Sequence, residues 1–307
     1  MNTVLSSDTP TQSSRMDMDN LFPGWTRRTD ILRQRIDPLA VSALAATLDL
    51  TIEHADGKRL PPGWHWLFFN PVARRSSLGE DGHPIREASS FLPPVPLPRR
   101  MWAGSRIRYL SELPICAEAT RSSRILHITN KQGRAGHLCF VTVEHRIAIN
   151  CKGKPMDYIV EEQDIVYRGA VQSTSMPANT VVAPDVPVQW RERLTPDNTM
   201  LFRYSALTFN GHRIHYDQAY ARDVEGYRNL VVHGPLTATL LQNFAQICKP
   251  QSKLCGFEFK GLSPLFVNET LELQAWCDPD DNSRLSMRAV DSNGALAMEA
   301  TAHLEDI

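Results

Sequence analysis

The sequence predicts an α+β protein built from two units of the same plan, each with a helix followed by an antiparallel meander of strands. An apolar stripe at helical spacing occurs once in each half, at 38–50 and at 235–248. Each helix is followed by four stretches with the alternation typical of half-buried strands. A Pro-rich stretch at 171–198 separates the halves, as a linker does. Two unrelated α+β domains remain an alternative on this pattern alone.

The N-terminal unit is predicted to span residues 21–170, after a tail at 1–20 that we expect to be disordered because it has few large apolar residues. Asp37 is suited to cap the first helix and Pro38 to begin it. Residues 71–104 form a long irregular loop, and such loops are commonly functional, so we expect this one to border a channel between the units. The strand candidates that follow lie at 106–113, 119–129, 137–149 and 157–168.

The C-terminal unit is predicted to span residues 199–307, after the linker at 171–198. Residues Met200–Phe209 have a strand-like pattern. The second helix begins at Pro235 and ends before Pro250, because proline cannot continue a helix. The strand candidates of this unit lie at 256–262, 266–277, 284–292 and 295–304.

Composition excludes several classes of function. The 307 residues carry 33 Lys+Arg against 34 Asp+Glu, without the basic excess expected of a dedicated nucleic-acid binder. No apolar run approaches the roughly 18 residues that span a bilayer, and residues 1–20 do not resemble a secretory signal. The six cysteines include no CxxC pair, which is typical of thiols in a reducing compartment. We expect a soluble cytoplasmic protein, or a mitochondrial one in a eukaryote, with no nucleic-acid or membrane partner and no metal.

The densest group of polar residues lies at 202–241. Asn210 and His215 are separated by a short polar turn, and catalytic side chains are often held on such turns. His233 and Gly234 then introduce the second helix, where the first amides lack internal acceptors and the helix dipole favours negative charge. The Gly234 N–H is therefore suited to hold a carbonyl oxygen that becomes an enolate. Each residue alone has an ordinary explanation, such as a turn, a packing glycine or a core histidine, but the combination indicates a site.

Residues 205–221 resemble the hydratase motif of the MaoC-like, (R)-specific enoyl-CoA hydratase group, with Ile214, His215 and Ala221 at matching positions. Residues 231–241 resemble the His-Gly-apolar segment that begins the central helix in that family. The resemblance implies the hotdog fold, in which a bent antiparallel sheet wraps a long helix. Two such units in one chain form a double hotdog.

The N-terminal half is similar, in 99–110 and 160–168, to the catalytically silent half of the type 2 hydroxyacyl-thioester dehydratases. It also resembles the corresponding half of the mesaconyl-C4-CoA and itaconyl-CoA hydratases. We therefore expect the C-terminal unit to be the catalytic one and the N-terminal unit to be non-catalytic.

Three residues depart from the pattern of the broader family. Asn210 stands where that family has the Asp of an Asp/His dyad, and His212 and Arg213 replace its Asn-Pro. An asparagine side chain does not accept a proton near neutral pH. The resemblance therefore implies that His215 carries the acid–base work and that Asn210 orients the water or the substrate.

The activity that the resemblance implies is the reversible hydration of a 2-enoyl-CoA thioester, with no metal or redox cofactor. His215 would activate the water and Asn210 would fix it, while the Gly234 N–H would bind the thioester oxygen. Four further residues of this region are expected to contact the substrate. They are Tyr216, Val232, His233 and Arg228.

Arginines in both halves favour a short dicarboxylyl-CoA such as mesaconyl-C4-CoA or itaconyl-CoA, because a guanidinium suits bidentate binding of carboxylate or phosphate. The alternatives are a 3-hydroxyacyl-thioester dehydratase acting on CoA or carrier-protein substrates, a thioesterase, and a non-catalytic acyl-CoA-binding hotdog module. A homodimer is expected because edge strands of hotdog units commonly pair. The arginines are Arg99, Arg100, Arg106, Arg203, Arg213, Arg222 and Arg228.

Overall fold

The computed structural model describes residues 22–51, 58–133, 136–169, 181–278 and 281–306. The predicted disordered tail at 1–20 lies outside these residues, as does part of the predicted linker. The helices are α1 (Pro38–Thr47), α2 (Asn198–Leu207) and α3 (Gly234–Cys248). The strands are β1 (Thr29–Arg35), β2 (Arg99–Tyr109), β3 (Glu118–Gly133), β4 (Gly136–Cys151), β5 (Lys154–Arg168), β6 (Trp190–Leu194), β7 (Ser252–Gly261), β8 (Leu271–Asp278), β9 (Asp281–Val290) and β10 (Leu296–Asp306).

All ten strands belong to one antiparallel sheet in the order β1-β3-β4-β5-β2-β7-β10-β9-β8-β6. Counted from its outer edge, the N-terminal unit has the order β1-β3-β4-β5-β2 and the C-terminal unit the order β6-β8-β9-β10-β7. These two orders are the same, strand for strand. The sheet is continuous because β2 pairs with β7 at its centre. The predicted α+β fold of two like units, the double hotdog, is confirmed.

Helix α3 is the central helix of the C-terminal unit. Leu236, Leu241 and Phe244 on this helix are buried, and it packs against β7, β8, β9 and β10. In the N-terminal unit the predicted cap is confirmed, because the Asp37 side chain accepts a hydrogen bond from the Leu39 N–H at 3.0 Å. Within the described parts of the chain, no helix is both long and apolar enough to cross a bilayer.

The two units differ in the segment that leads into their central strand, which is β2 in the N-terminal unit and β7 in the C-terminal unit. In the C-terminal unit this segment contains the fifteen-residue α3. In the N-terminal unit the helix is the ten-residue α1, shorter than the long central helix we expected. Among the described residues between α1 and β2, the only helical segments are short 3₁₀ turns at Trp64–Leu67 and Arg75–Ser77. Side chains on one face of β4 and β5 consequently line a cavity.

Two segments near the predicted linker differ from expectation. The strand-like pattern at Met200–Phe209 was misleading, because these residues form most of α2. The side chain of Asp197 caps this helix by accepting a hydrogen bond from the backbone N–H of Met200 at 2.7 Å. Within the range predicted as linker, residues Trp190–Leu194 form β6 and pair with β8.

Buried hydrogen bonds connect α3 to the N-terminal unit. The Tyr109 hydroxyl on β2 donates to Gln242 Oε1 at 2.5 Å and accepts from the Gly63 N–H at 2.8 Å. Trp64 Nε1 donates to Asn243 Oδ1 at 3.1 Å. Helix α3, whose N-terminus borders the site described below, is therefore positioned by both units.

Replacing Tyr109 by Phe is expected to destabilise the protein by about 1–3 kcal/mol, because a buried N–H and a buried amide oxygen each lose a partner. The midpoint of urea unfolding, followed by circular dichroism, measures this change. Tyr158→Phe, at a half-buried position on β5, is the control and is expected to change the free energy of unfolding by about 0.5 kcal/mol or less. Equal effects of the two variants would contradict this role for Tyr109.

Candidate active site

A cavity of about 1170 Å³ is lined by residues of both units. Its walls come from the loop 71–104, from one face of β4 and β5, from the connection between α2 and α3, and from the first turn of α3. The irregular loop ends at residue 98 and not at 104, because Arg99–Gly104 belong to β2. Its remaining residues lie where the sequence predicted, beside a cavity that both units line. Asn210, His215 and Gly234 all line this one cavity.

Asn210 shapes the turn that follows α2. Its backbone N–H donates to the Ser205 carbonyl at 2.8 Å, and its side-chain Oδ1 accepts from the His212 N–H at 2.9 Å. Because a backbone N–H bonds only to the oxygen of a side-chain amide, this contact determines the orientation of the Asn210 amide. Its Nδ2 is left to donate. Asn210 can therefore hold a water molecule by donating to its oxygen, but it cannot take the proton of that water.

His215 is buried at the end of the 3₁₀ turn Arg213–His215. Its Nδ1 lies 2.7 Å from the Val231 carbonyl oxygen. A carbonyl only accepts hydrogen bonds, so Nδ1 carries the proton and Nε2 of the neutral ring carries the lone pair. Burial lowers the pKa of His215 to about 4, against the opposing effect of the Val231 hydrogen bond. At neutral pH His215 is thus an uncharged imidazole whose Nε2 can accept a proton.

His233 lies behind His215 and does not line the cavity. The two rings are stacked with their centres 3.7 Å apart, and His233 is completely buried. His233 Nε2 is 2.8 Å from the Ser205 hydroxyl. Burial, with the neighbouring His215 and His212, holds the pKa of His233 well below its usual value. The His233 side chain therefore packs inward from the start of α3 and supports the ring of His215, and its predicted substrate contact stays a prediction.

Gly234 is the first residue of α3, where backbone N–H groups have no acceptor within the helix and the dipole favours negative charge. A Cβ built on Gly234 would meet nothing within 4 Å, so this glycine borders open space and is not required for close packing. Val232 also lines the cavity. Its backbone N–H donates to the Leu265 carbonyl at 2.8 Å, which leaves its side chain and carbonyl for a ligand.

The remaining two predicted substrate contacts lie in different places. Tyr216 lines the cavity with 52% of its surface exposed, and its hydroxyl donates to the Gly211 carbonyl at 3.1 Å. Arg228 is not among the lining residues. Its guanidinium forms an ion pair with Glu269 and lies 4.4 Å from the centre of the Phe266 ring. These partners hold the Arg228 side chain outside the cavity lining, and its predicted substrate contact stays a prediction.

Sequence reasoning missed a second pair of histidines at the site. His83, from the loop 71–104, has its Nδ1 2.8 Å from Asp81 Oδ2. The ring centre of His83 is 4.2 Å from that of His212, which in turn is 5.4 Å from that of His215. The available signal was the run Asp81-Gly82-His83 inside a loop already marked as functional. The loop and the polar turn 210–215 therefore form one histidine cluster.

Backbone contacts hold this loop against the turn 210–215. The Arg213 N–H donates to the Asp81 carbonyl at 2.9 Å. Gly82 has φ +86, and a Cβ built on it would lie 1.9 Å from the Gly211 carbonyl oxygen. This position therefore requires glycine for both its conformation and its close approach. The loop of the N-terminal unit thus packs directly against the turn that carries Asn210 and His215.

Asp81, His83 and His212 offer three ligand atoms within 4.8 Å of one another, close enough to hold one divalent cation. Burial, and then the charges of His83 and His215, lower the pKa of His212 to about 2. The positive charge of Arg100 also acts on both His83 and His212 and would repel a dication. These surroundings favour a hydrogen-bonding role for Asp81, His83 and His212. The expected absence of a metal stays a prediction.

The N-terminal unit contributes a second polar cluster to the cavity wall. Glu161 on β5 is 3.1 Å from His65 Nε2 and accepts hydrogen bonds from Ser105 Oγ at 2.6 Å and Trp66 Nε1 at 3.0 Å. Burial alone would raise the pKa of Glu161, but the hydrogen bond and charge of His65, the charge of His145 and the Ser105 hydrogen bond together outweigh burial, and the pKa falls to about 2. Glu161 is therefore ionised at neutral pH. The N-terminal unit thus contributes a polar patch to a cavity wall that also contains apolar side chains such as Phe69, Ile147 and Ile159.

Comparison with known proteins relates this fold and site to enzymes. The family described as hydroxyacyl-thioester dehydratase type 2 matches residues 63–267. The mesaconyl-C(4)-CoA hydratase of Chloroflexus aurantiacus is 44% identical over 283 residues, which cover 91% of this chain and 96% of that protein. The mitochondrial hydroxyacyl-thioester dehydratase type 2 of Schizosaccharomyces pombe is 28% identical over 243 residues, covering 70% of this chain and 77% of that protein.

Solved structures share the fold at low sequence identity. HtdX of Mycobacterium tuberculosis has a TM-score of 0.60 and 14% identity, covering 91% of this chain and 100% of that one. A MaoC-like dehydratase from Phytophthora capsici has a TM-score of 0.59 and 14% identity, covering 91% of this chain and 96% of that one. The family match spans most of the chain, and a relative 44% identical extends over nearly all of it. The chain belongs to the hydroxyacyl-thioester dehydratase type 2 family.

Proposed function

We propose that the chain catalyses the reversible hydration of a 2-enoyl-CoA thioester and that its substrate is a short dicarboxylyl-CoA such as mesaconyl-C4-CoA. The observation that carries the reaction is the neutral imidazole of His215, whose Nε2 is available in a cavity also lined by Asn210 and Gly234. The substrate is supported by the C. aurantiacus relative, which is named for hydration of mesaconyl-C4-CoA.

In the hydration direction, His215 Nε2 takes a proton from a water molecule while the water oxygen bonds to the β-carbon. Asn210 Nδ2 donates a hydrogen bond to the water oxygen and so orients the remaining lone pair of that oxygen toward the β-carbon. The thioester carbonyl becomes an enolate oxygen, which the Gly234 N–H at the start of α3 stabilises. The imidazolium of His215 then returns its proton to the α-carbon, and dehydration is the reverse. We assign all three groups to the C-terminal unit predicted at 199–307.

Part of the cavity wall is polar, which is compatible with a short acyl group that carries a carboxylate. The N-terminal unit lines it with Glu161 and His65, and with Arg121 and His145 nearby on β3 and β4. Glu161 and His65 bond to each other, and His145 lies within hydrogen-bond distance of Ser123 and Gln163. These groups already have partners within the protein, so the choice of substrate rests on the C. aurantiacus relative.

A second candidate is dehydration of a longer 3-hydroxyacyl thioester on CoA or on a carrier protein. The yeast relatives named as hydroxyacyl-thioester dehydratases favour it. The cavity volume of about 1170 Å³ also favours it, because it exceeds the roughly 300–1,000 Å³ usual for small-molecule sites.

Homodimerisation and a cytoplasmic location remain proposals for this chain. Strands β1 and β6 occupy the two edges of the ten-stranded sheet. Unpaired edges are templates for pairing with another chain unless something covers them. Sedimentation of the purified protein would decide between monomer and dimer.

A panel of enoyl thioesters tests the substrate. We expect kcat/KM for mesaconyl-C4-CoA to exceed that for crotonyl-CoA and octenoyl-CoA by at least about 10-fold, since a charge-assisted hydrogen bond contributes about 1.5–3 kcal/mol. Loss of absorbance at the enoyl-thioester band measures turnover. A preference for octenoyl-CoA would favour the dehydratase. Release of free thiol would indicate a thioesterase, and binding without turnover would indicate a non-catalytic module.

Replacing His215 by Ala is expected to lower kcat by about 10²–10⁴-fold, the usual contribution of a general acid–base group. Asn210→Ala is expected to lower kcat by about 10-fold, because it removes one hydrogen bond to the water. His127→Ala, at an exposed histidine of β3, is the matched control and should retain wild-type turnover. Near wild-type turnover of His215→Ala would exclude His215 as the base.

The pH dependence of kcat/KM follows from the lowered pKa of His215. The base must be unprotonated, and burial lowers its pKa from 6.5 to about 4. Activity is therefore expected to stay constant as the pH falls from 8 to about 5, and to decline as the pH falls through about 4. Tryptophan fluorescence at each pH controls for unfolding. A decline centred near pH 6.5 in the folded protein would contradict the assignment.

A further inference from the structure

The arginines singled out by sequence separate into two classes in the structure. Six of them are committed to partners or lie on the surface. Arg100 differs, because it lines the cavity and forms no salt bridge with a carboxylate of any described residue. The six are Arg99 (paired with Glu225), Arg106 (Glu162 and Asp164), Arg203 (exposed), Arg213 (Asp217), Arg222 (Asp223) and Arg228 (Glu269).

A second arginine without a described carboxylate partner lies close to Arg100. Arg100 on β2 is paired in register with Tyr167 on β5, so the two side chains share one face of the sheet. The guanidinium of Arg86, from the loop 71–104, lies 4.7 Å from the centre of the same Tyr167 ring. Arg86 and Arg100 both line the cavity, and their two positive charges repel each other.

These two positive charges are poorly compensated. Asp81 is a carboxylate whose charge acts on Arg100, and its Oδ2 already bonds to His83. Burial lowers the pKa of Arg100, although a guanidinium stays protonated at neutral pH. A charge removed from water without a partner is costly. Arg100 interacts with the Tyr167 hydroxyl, which is neutral, so an anion entering the cavity would relieve the repulsion between the two guanidinium groups.

Arg86 and Arg100 border the turn 210–215. The charge of Arg100 acts on His83 and His212, and the His212 ring centre lies 5.4 Å from that of His215. A β-carboxylate of the substrate must lie one bond from the carbon that water attacks, and so near His215. The phosphates of CoA lie at the far end of the pantetheine arm. The position beside the histidines therefore favours a substrate carboxylate over a phosphate.

We propose that Arg100, assisted by Arg86, binds the free carboxylate of the substrate and thereby selects a dicarboxylyl thioester over a monocarboxylyl one. The proposal rests on the proposed function, whose substrate class it explains. In mesaconyl-C4-CoA the carboxylate is attached to the β-carbon, where its negative charge opposes attack by the water oxygen. Pairing with Arg100 offsets this repulsion. Arg100 is therefore a specificity-determining residue and does not itself transfer a proton.

Binding of two unreactive thioesters tests the proposal apart from catalysis. Succinyl-CoA and butyryl-CoA have four-carbon acyl chains, and succinyl-CoA carries a carboxylate on the β-carbon. We expect the wild-type protein to bind succinyl-CoA more tightly, and Arg100→Met to reduce this preference by on the order of 10- to 100-fold. Butyryl-CoA affinity should stay unchanged. Isothermal titration gives both dissociation constants, and their ratio does not depend on the fraction of folded protein.

Three further variants separate a binding role from a structural one. Arg86→Met should reduce the preference less than Arg100→Met does. Arg100→Lys should retain part of it, because an ammonium keeps the charge without the bidentate fork. Arg106→Met, at an exposed ion pair on the same strand, is the matched control and should behave as wild type.

The outcomes distinguish this proposal from the proposed function. An equal loss of affinity for both thioesters in Arg100→Met would overturn the proposal, because it would place Arg100 on the CoA moiety or in the fold. An unchanged preference would also overturn it. A wild-type protein that prefers succinyl-CoA through Arg100, yet does not hydrate mesaconyl-C4-CoA, would support the carboxylate subsite while excluding the proposed reaction.

Discussion

The hydrogen bond from His215 Nδ1 to the Val231 carbonyl is the contact on which the chemistry of the site depends. It selects the tautomer and leaves Nε2 for the cavity. Val231 is itself held, because its N–H donates to the Ile214 carbonyl and it forms a β-bridge with Phe266. The turn that carries His215 is therefore connected to the segment that leads into α3. One backbone arrangement thus positions both the base and Gly234.

The two units have the same strand order but different contents. The C-terminal unit packs the fifteen-residue helix α3 against its strands, and the first turn of α3 borders the cavity. The N-terminal unit has no counterpart of α3 among its described residues, and its strands β4 and β5 line the cavity. Its loop contacts the turn 210–215 through Gly82, which approaches Gly211. The C-terminal unit therefore supplies the groups that we propose to react, and the N-terminal unit supplies much of the wall around them.

The sequence was sufficient to predict the features that depend on residues close together along the chain. The cap at Asp37 and the central helix α3 follow from neighbouring residues, as does the clustering of Asn210 with His215. The α2 helix was missed because its aromatic and apolar residues also fit a strand pattern, and only Asp197 marks its start. The roles of the arginines were not readable, because an ion pair such as Arg228 with Glu269 depends on tertiary structure. His83 lies more than a hundred residues before His215, so only the fold brings them together.

The protonation state of His215 is the most direct test of the account. Nitrogen chemical shifts of the imidazole rings, measured by NMR on ¹⁵N-labelled protein and assigned with a His215→Gln variant, report both tautomer and pKa. The account predicts a neutral ring at pH 7 with the proton on Nδ1 and a pKa near 4. A proton on Nε2, or a pKa at or above 6.5, would contradict the assignment of His215 as the base.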